Sequence, residues 1–285
     1  MKILILGGDG MLGHQLLNSF KEKFQVKVTL RKNLNEYTQY KIFTNDNSYD
    51  QVDVRDFEKL VSVIEAYKPN VLINAVGIVK QRKDAKEIIP SLEINALLPH
   101  KLSIECGKYN TRLIHISTDC VFSGKTGMYD EQSFADADDI YGRTKYLGEL
   151  SLNNCLTLRT SIIGRELSRH NSLLDWFLAQ SGTIKGFKNA IFSGFTTIEL
   201  ARIIEMMILK YPEASGTYNV SSEPINKYDL LKMISEVLNH NIEIVGDEIF
   251  FCNRSLSSEL FRKSFNYTPP SWLAMISELK QFTTK

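Results

Sequence analysis

Short apolar runs along this chain alternate with segments whose apolar residues recur every three or four positions. The first run, residues 2–6, is continuously apolar and predicts a strand buried on both faces, followed by a helix to about residue 23. Further strands are predicted at residues 26–30, 50–54, 71–73 and 112–116, and helices at 56–67, with Asp56 as N-cap, and 90–108. Repeated strand–helix units predict an α/β fold with a doubly wound parallel sheet, whose ligands bind beyond the strand C-termini.

The C-terminal part has a less regular pattern. Strands are predicted at residues 155–160 and 216–220, and helices at 173–178, 198–209 and 228–238. Residues 184–194 are rich in turn formers, and no strand is predicted there. One more helix is predicted from residue 257, and a short terminal one after Pro269 and Pro270.

Composition narrows the class of protein. The 285 residues are 43% hydrophobic and 24% charged, which is typical of a globular protein with one large or two modest domains. The net charge of +1, with interspersed charges, argues against a nucleic-acid partner. Four scattered cysteines form no C-x-x-C pair, so neither a zinc site nor a disulfide scaffold is expected. No apolar run reaches the roughly 18 residues of a membrane span, and we expect a cytoplasmic protein.

A glycine-rich turn directly follows the first strand. Gly7, Gly10 and Gly13 have the spacing G-x-x-G-x-x-G, and the predicted helix begins at Met11 and Leu12. Such a turn lets the backbone approach a pyrophosphate, whose charge lies at the helix N-terminus. The segment, which includes Asp9, therefore predicts dinucleotide binding; the alternative is a plain tight turn.

Arg31 and Lys32 follow the second predicted strand. At this place an acidic residue would bind the adenosine ribose of NAD, whereas an arginine suits the 2′-phosphate of NADP. The sequence therefore favours NADPH, with NADH as the alternative. The competing interpretation of Arg31 and Lys32 is a pair of solvated surface charges.

A second polar cluster, Ser117, Thr118 and Asp119, lies just past the strand predicted at 112–116. Tyr141 and Lys145 follow it, four residues apart and therefore on one face of a helix. A phenol beside an ammonium group can transfer a proton near neutral pH, because the positive charge favours the phenolate. The alternatives are strand-end hydrogen bonding for the first group and an exposed helix turn for the second.

In this order the motifs resemble those of the extended short-chain dehydrogenase/reductases, and among them most closely those of the dTDP-4-dehydrorhamnose reductases. The resemblance covers residues 1–164. It rests on the motifs Gly7/Gly10/Gly13, Asp53-Val54, Asn74-Ala75-Val76-Gly77, Ser117-Thr118-Asp119 and Tyr141/Lys145, with Ser-Thr-Asp-x-Val-Phe at 117–122, Tyr-Gly-x-Thr-Lys-x-x-Gly-Glu at 141–149 and Leu-Arg-Thr-Ser at 158–161. It implies a Rossmann domain at residues 1–162 and a smaller α/β substrate-binding domain at 163–285, with chain crossings between them.

The resemblance also implies a reaction, the hydride reduction of a 4-keto nucleotide sugar for deoxysugar and surface-polysaccharide synthesis. Tyr141 would donate the proton, and Lys145 would hold the nicotinamide ribose and lower the pKa of Tyr141. Thr118 would hydrogen-bond the reacting oxygen. Further expected contacts are Asp53, Val54, Asn74, Ala75, Val76 and Gly77 with the cofactor, and Asp119, Cys120 and Arg254 with the substrate.

Two departures leave the sugar open. Cys120 and Ile162 stand where the compared reductases carry Tyr and Trp, so a UDP-linked 2-acetamido-6-deoxy-4-hexulose competes as the substrate. Cys120 also matches the catalytic cysteine of epimerase-reductases, with His170 as a loose candidate partner; the alternatives are a small buried hydrophobe and a loop residue. Arg254 could equally be a surface charge flanking a helix.

Two further expectations concern association with a second protein chain. The alternative to an enzyme is a regulatory subunit without catalysis, because relatives with this fold serve that role. The presence of both Tyr141 and Lys145 argues against this alternative. A homodimer is compatible with the sequence.

Overall fold

The computed structural model describes residues 1–79, 87–168 and 171–283. The chain folds into two compact units, and both are discontinuous in sequence. The first unit comprises residues 1–117, 139–158 and 201–217, and the second comprises 118–138, 159–200 and 218–285. The boundary at residue 162 stays a prediction.

A seven-stranded, mostly parallel sheet forms the centre of the α/β fold. Its strands are β1 (Lys2–Leu6), β2 (Gln25–Thr29), β3 (Ser48–Tyr49), β4 (Val71–Asn74), β5 (Arg112–Thr118), β6 (Cys155–Thr160) and β10 (Gly216–Asn219). They lie in the order β10-β6-β5-β4-β1-β2-β3, and β1 is parallel to both β2 and β4. The sheet confirms the predicted doubly wound class.

Most of the helices between these strands follow the predicted apolar spacing. They are α1 (Met11–Phe20), α2 (Phe57–Tyr67), α3 (Ile88–Ser91), α4 (Leu98–Lys108), α5 (Ile140–Leu147) and α7 (Thr197–Leu209). Asp56 caps α2 by accepting a hydrogen bond from the N–H of Lys59 at 3.1 Å, as predicted. Between α3 and α4 the chain makes a π-helical turn, Leu92–Leu97, which the apolar spacing did not predict.

The core of the first unit is built by side chains from both strands and helices. Leu4 and Leu72 of the sheet are fully buried and pack with Leu60 of α2 and Leu102 of α4. This packing explains why residues 2–6 and 71–73 are almost purely apolar, since a strand covered on both faces has no polar side.

The second unit contains two smaller sheets. β8 (Thr183–Phe192) lies between β11 (Ile225–Asn226), which is antiparallel to it, and β12 (Glu243–Asn253), which is parallel. β7 (Ile162–Ile163) pairs with β9 (Phe195–Thr196). The helices are α6 (Leu173–Leu178), α8 (Lys227–Leu238), α9 (Glu259–Phe265) and α10 (Trp272–Thr283).

Two predictions of secondary structure are wrong. Residues 50–54 are not a strand, because β3 ends at Tyr49 and Gln51 has a φ of 54°, which breaks the extended backbone. Residues 184–194 are mostly strand, because β8 pairs along its length with β12, a partner about 60 residues away. Turn formers within β8, such as Gly186, are tolerated because the pairing is supplied from elsewhere in the chain.

Candidate active site

The glycine turn begins where β1 ends. Gly7 has a φ of 81°, a backbone conformation that favours glycine, and its carbonyl accepts a hydrogen bond from Gly10 N–H at 3.0 Å. Gly8 N–H donates to the carbonyl of Thr29 in β2 at 2.9 Å. The turn is therefore fixed to two neighbouring strands of the sheet.

Helix α1 packs against this turn without space for a side chain. A Cβ atom at Gly13 would lie 2.0 Å from the Gly7 carbonyl oxygen, and one at Gly8 would lie 2.5 Å from Cβ of Val28. The first N–H groups of a helix have no carbonyl one turn earlier, so those at Met11 and Leu12 are available to an anion. This cradle fits the pyrophosphate of a dinucleotide.

The end of β2 brings Arg31 close to two groups that the sequence did not connect with it. The Tyr37 hydroxyl donates to Oδ2 of Asp9 at 3.2 Å, and burial, followed by the Asp9 charge, raises the pKa of Tyr37 to about 12. The exposed Arg31 lies near enough to oppose that shift and also to help lower the pKa of Asp53. Tyr37 was missed because its 3₁₀ helix, Leu34–Tyr40, has no clear apolar spacing.

Asp53 is engaged with a neighbouring residue. Its carboxylate accepts hydrogen bonds from Arg55 Nε at 3.0 Å and Nη2 at 2.6 Å, and this pairing lowers the pKa of Asp53. Val54 is partly buried and packs against the core of the first unit. The Asp53 carboxylate is thus already paired with Arg55, and the cofactor contacts expected of Asp53 and Val54 stay predictions.

The loop after β4 is tied to helix α5 through Asn95, which no sequence motif marked. Asn95 lies in the π-helical turn; its Oδ1 accepts from Ile78 N–H at 2.9 Å. Its Nδ2 donates to the Ile78 carbonyl at 3.1 Å and to Oγ1 of Thr144 in α5 at 3.3 Å. The Asn74–Gly77 segment is therefore followed directly by a residue, Ile78, that Asn95 connects to α5.

Helix α5 carries Tyr141 and Lys145 on one face, four residues apart. Its N-cap is Asp139, whose Oδ1 accepts from Gly142 N–H at 2.8 Å. Tyr141 is half-buried, whereas Lys145 is only 4% exposed. The Lys145 ammonium nitrogen donates to the Ile116 carbonyl of β5 at 2.7 Å, and burial lowers the pKa of Lys145 to about 8. The helix cap and this anchor together fix the position of the pair.

Two further side chains of β5 complete the surroundings of this helix. Ser117 Oγ donates to Glu149 Oε1 at 2.6 Å, and Glu149 acts on Lys145 by favouring its charged form. Nε2 of His115 lies 3.5 Å from Lys145 Nζ. Sequence reasoning did not identify His115, because its contact with Lys145 arises only when β5 and α5 pack.

The expected substrate residues Thr118, Asp119, Cys120 and Arg254 all belong to the second unit. Thr118 Oγ1 accepts from Cys120 N–H at 3.1 Å and donates to Asp119 Oδ1 at 3.2 Å. Burial raises the pKa of Asp119, opposed chiefly by the Arg254 guanidinium. Arg254 Nε also donates to the Phe122 carbonyl at 2.8 Å. These four residues therefore form one polar cluster.

The thiol of Cys120 belongs to the same cluster. Burial, followed by the charge of Asp119, raises the pKa of this thiol to about 12. The thiol is therefore protonated near neutral pH. The other candidate, His170, lies outside the described residues.

The described part of the chain, residues 1–79, 87–168 and 171–283, has neither a group of side chains that could hold a metal ion nor a helix that could cross a membrane. It contains no group of three or more His, Cys, Asp or Glu side chains that could hold a metal ion. Among the described helices, none is both long and apolar enough to cross a bilayer.

Fold and motifs together define an extended short-chain dehydrogenase/reductase. More narrowly, residues 1–245 match the family described as "RmlD substrate binding domain", and the chain belongs to this family. Both conclusions agree with the resemblance inferred from the sequence motifs.

The individual relatives have low sequence identity to this chain. The chain is 24% identical over 306 aligned positions to the dTDP-4-dehydrorhamnose reductase of Aggregatibacter actinomycetemcomitans, with 99% of each chain covered. It is also 24% identical to the methionine adenosyltransferase 2 subunit beta of Mus musculus, over 84% of this chain and 72% of that one. The crystal structure of dTDP-4-dehydrorhamnose reductase from Bacillus anthracis in complex with NADP has a TM-score of 0.81 at 20% identity, covering 98% of both chains. The last comparison establishes the fold.

Proposed function

We propose that this chain is an NADPH-dependent reductase of a 4-keto-6-deoxy nucleotide sugar, supplying deoxysugar for surface polysaccharide. The observation that carries the proposal is the Tyr141/Lys145 pair on α5, with Lys145 anchored to β5 in the unit that also holds the glycine turn. The full-length likeness to a dTDP-4-dehydrorhamnose reductase supports it. A UDP-linked 2-acetamido-6-deoxy-4-hexulose remains the alternative substrate.

NADPH, when bound, supplies the hydride. The crowded glycine turn and the N-terminus of α1 would hold its pyrophosphate, and Arg31 would meet a 2′-phosphate through its fork of N–H donors. Lys145 would hold the nicotinamide ribose hydroxyls. The remaining cofactor contacts in the proposal would be made by Asp9, Asp53, Val54, Asn74, Ala75, Val76 and Gly77. NADH is the alternative cofactor.

Tyr141 would donate the proton that the carbonyl oxygen needs when the carbon is reduced. The charge of Lys145 would stabilise the phenolate left behind, because an opposite charge nearby favours the ionised form. Since the pKa of Lys145 is lowered to about 8, this help fades above that pH in the cofactor-free protein.

The cluster in the second unit would bind the sugar. Thr118 would hydrogen-bond the reacting oxygen, and Asp119 and Arg254 would contact the hydroxyls or the diphosphate. Cys120 would act only as a lining side chain, since a thiol with a pKa of about 12 stays protonated at neutral pH and cannot accept a proton. This last point argues against the epimerase alternative.

The test is the variant Tyr141→Phe, with Tyr146→Phe as control, because Tyr146 is an exposed tyrosine of the same helix. We expect Tyr141→Phe to lower the oxidation of NADPH by 4-keto sugar nucleotides by about 10²–10⁴-fold while NADPH binding is retained. Tyr146→Phe should turn over like the parent chain. Full turnover in Tyr141→Phe would contradict the mechanism.

A second candidate is a regulatory subunit without catalysis, favoured by the likeness to methionine adenosyltransferase 2 subunit beta. A panel of dTDP-, UDP- and GDP-linked 4-keto sugars separates the two candidates. NADPH binding without oxidation by any member would favour the regulatory subunit. Sedimentation of the same preparation would test the homodimer, which stays a prediction.

A further inference from the structure

A chain of hydrogen bonds inside the first unit leads from a backbone N–H to the amine of Lys145. Val76 N–H lies 3.2 Å from Oδ1 of Asn74, and Nδ2 of Asn74 lies 3.2 Å from Nδ1 of His115. Nε2 of His115 is 3.5 Å from Lys145 Nζ. Asn74 and His115 are 0% and 1% exposed, so these contacts exchange little with water.

The first link fixes the direction of the rest. A backbone N–H can only donate, so the oxygen of the Asn74 amide must face Val76 and the NH₂ group must face His115. Nδ1 of His115 is then an acceptor, and the proton of a neutral imidazole lies on Nε2. That N–H is directed at Lys145 Nζ.

An ammonium group at Lys145 does not suit this arrangement. It would place two donors against each other, whereas an uncharged amine can accept from His115 Nε2–H and still donate to the Ile116 carbonyl at 2.7 Å. If the Asn74 amide were turned over, its NH₂ group would face the Val76 N–H, and two donors would again oppose each other. A charged imidazole would place an N–H of His115 against the Asn74 NH₂ group, with the same result. This series of hydrogen bonds begins with a donor, the Val76 N–H, so it favours an acceptor, the uncharged amine, at Lys145.

We propose that His115 is a positioning residue that, held by Asn74 and Val76, directs an N–H rather than a lone pair at Lys145 and makes this amine release its proton more readily. Other charged or titratable groups act on the pair. Glu149 favours the charged form of Lys145, and His100 of α4 acts on His115. Burial lowers the pKa of His115 well below its ordinary value, in keeping with a neutral ring.

The state of His115 can be read directly in the cofactor-free, full-length chain. We would record imidazole ¹⁵N spectra of the histidine-labelled protein and assign His115 by replacing the other histidines in turn. We expect one neutral ring with its proton on Nε2, unchanged down to about pH 6, where a free histidine titrates. A proton on Nδ1, or an imidazolium at about pH 6, would overturn the proposal. This measurement uses the parent ring, so it survives a variant that fails to fold.

The effect on Lys145 is tested with ¹³Cε-labelled lysine, its signal assigned with Lys145→Met. In His115→Leu we expect Lys145 to bind its proton about tenfold more tightly than in the parent chain. In Asn74→Leu, which frees the ring to turn its lone pair to the amine, we expect a shift in the same direction. His100→Gln is the control and should shift Lys145 much less. An unchanged or weaker proton affinity in folded His115→Leu would contradict the proposal.

The consequence for catalysis rests on the proposed function. If Lys145 must be charged during turnover, the alkaline limb of the pH profile of kcat/KM should move upward in His115→Leu. Failure of the proposed function would remove turnover altogether and leave both spectroscopic results standing. The two proposals therefore fail in distinguishable ways.

Discussion

Arg31 and Lys32 are adjacent cations with different surroundings. Lys32 Nζ forms an ion pair at 2.8 Å with Glu36, four residues further along, whereas Arg31 lies exposed near Tyr37 and Asp53. The two residues thus differ in position rather than in charge. They provide a matched pair of substitutions for the cofactor assignment.

We expect Arg31→Ala to weaken NADPH binding by about tenfold or more and NADH binding little, because a charge-assisted contact to the 2′-phosphate is worth roughly 1.5–3 kcal/mol. Fluorescence titration with both cofactors measures this. Lys32→Ala should change neither affinity much. Equal losses for NADPH and NADH in Arg31→Ala would remove the 2′-phosphate assignment.

The thiol of Cys120 offers a second test at this scale. Because burial and Asp119 raise its pKa to about 12, we expect iodoacetamide at about pH 8 to modify it at least tenfold more slowly than a peptide cysteine. Peptide mass mapping follows the rate. If Cys120 were an epimerase acid or base, Cys120→Ala would abolish solvent deuterium uptake into the sugar; we expect product and isotope content to be unchanged.

Lys145 also links stability to pH. Its folded-state pKa of about 8 lies below the roughly 10.4 of an unfolded lysine, so between these values the unfolded chain binds more protons. We therefore expect the unfolding free energy of the cofactor-free protein to rise from about pH 8 to about pH 10, by up to about 3 kcal/mol from this group. The difference between the parent chain and Lys145→Met in urea unfolding isolates the term. A constant difference across that window would contradict it.

Sequence reasoning reached the residues whose roles follow from spacing along one element. Tyr141 and Lys145 lie on α5 as the four-residue interval required, and the glycine turn follows β1 directly. The spacing of residues along one element could not identify His115. The contact of His115 with Asn74 depends on the register of β5 against β4, residues 41 positions apart, which no local pattern encodes.

At the scale of elements, the contact between the glycine turn and α1 is governed by the absence of a single carbon atom. A Cβ at Gly13 would lie 2.0 Å from Gly7 O, 2.8 Å from Gly7 C and 3.0 Å from Gly8 Cα, and these backbone atoms cannot move aside as a side chain can. Gly107 in α4 is the contrasting case, since a Cβ there would meet no heavy atom within 4 Å apart from the adjacent residues and the backbone of its own helix. Substituting each of the two helical glycines therefore distinguishes the effect of close packing, at Gly13, from the effect of the low helix propensity of glycine, at Gly107.

We expect Gly13→Ala to destabilise the protein by about 1–3 kcal/mol and to weaken dinucleotide binding, because α1 must move away from the turn. Gly107→Ala should instead stabilise by up to about 1 kcal/mol, the helix-propensity difference. Thermal unfolding with and without NADPH measures both effects. A Gly13→Ala chain as stable as the parent would show that the turn can open without cost.

Elements with local start and stop signals were predictable, and those defined by distant partners were not. The Asp56 cap located α2 to the residue, and Oγ1 of Thr196 accepts from Glu199 N–H at the start of α7. The long strands β8 and β12 were missed. Their pairing crosses about 60 residues and contains an irregularity between Asp247 and Phe251, so neither shows a clean alternation of buried and exposed positions.

For the whole molecule, the first unit depends on a late segment of the chain. Residues 201–217 contribute most of α7 and the first half of β10. Arg112 of β5 is 6% exposed and donates from Nη1 to the Met207 carbonyl at 2.6 Å and from Nη2 to the Ala214 carbonyl at 2.8 Å. Removing the segment would leave a buried guanidinium without these acceptors.

We therefore expect a fragment of residues 1–162 to lack a cooperative thermal transition and to bind no NADPH, because a buried donor left without an acceptor costs about 1–3 kcal/mol in addition to the lost sheet edge. Co-expression with residues 163–285 should restore both properties by supplying 201–217 in trans. Calorimetry and NADPH titration of each preparation are the measurements. Cooperative melting of the isolated 1–162 fragment would show that the late segment is dispensable.

The π-helical turn at Leu92–Leu97 has a consequence for altering this chain. Such a turn holds one residue more than a regular helix, and here that residue count places Asn95 against both Ile78 and Thr144. Deleting one residue from the turn would rotate every later side chain by about 100° around the axis and carry Leu102 out of the core. Redesigns that shorten the helix therefore have to remove whole turns after Leu98 and keep the extra residue in place.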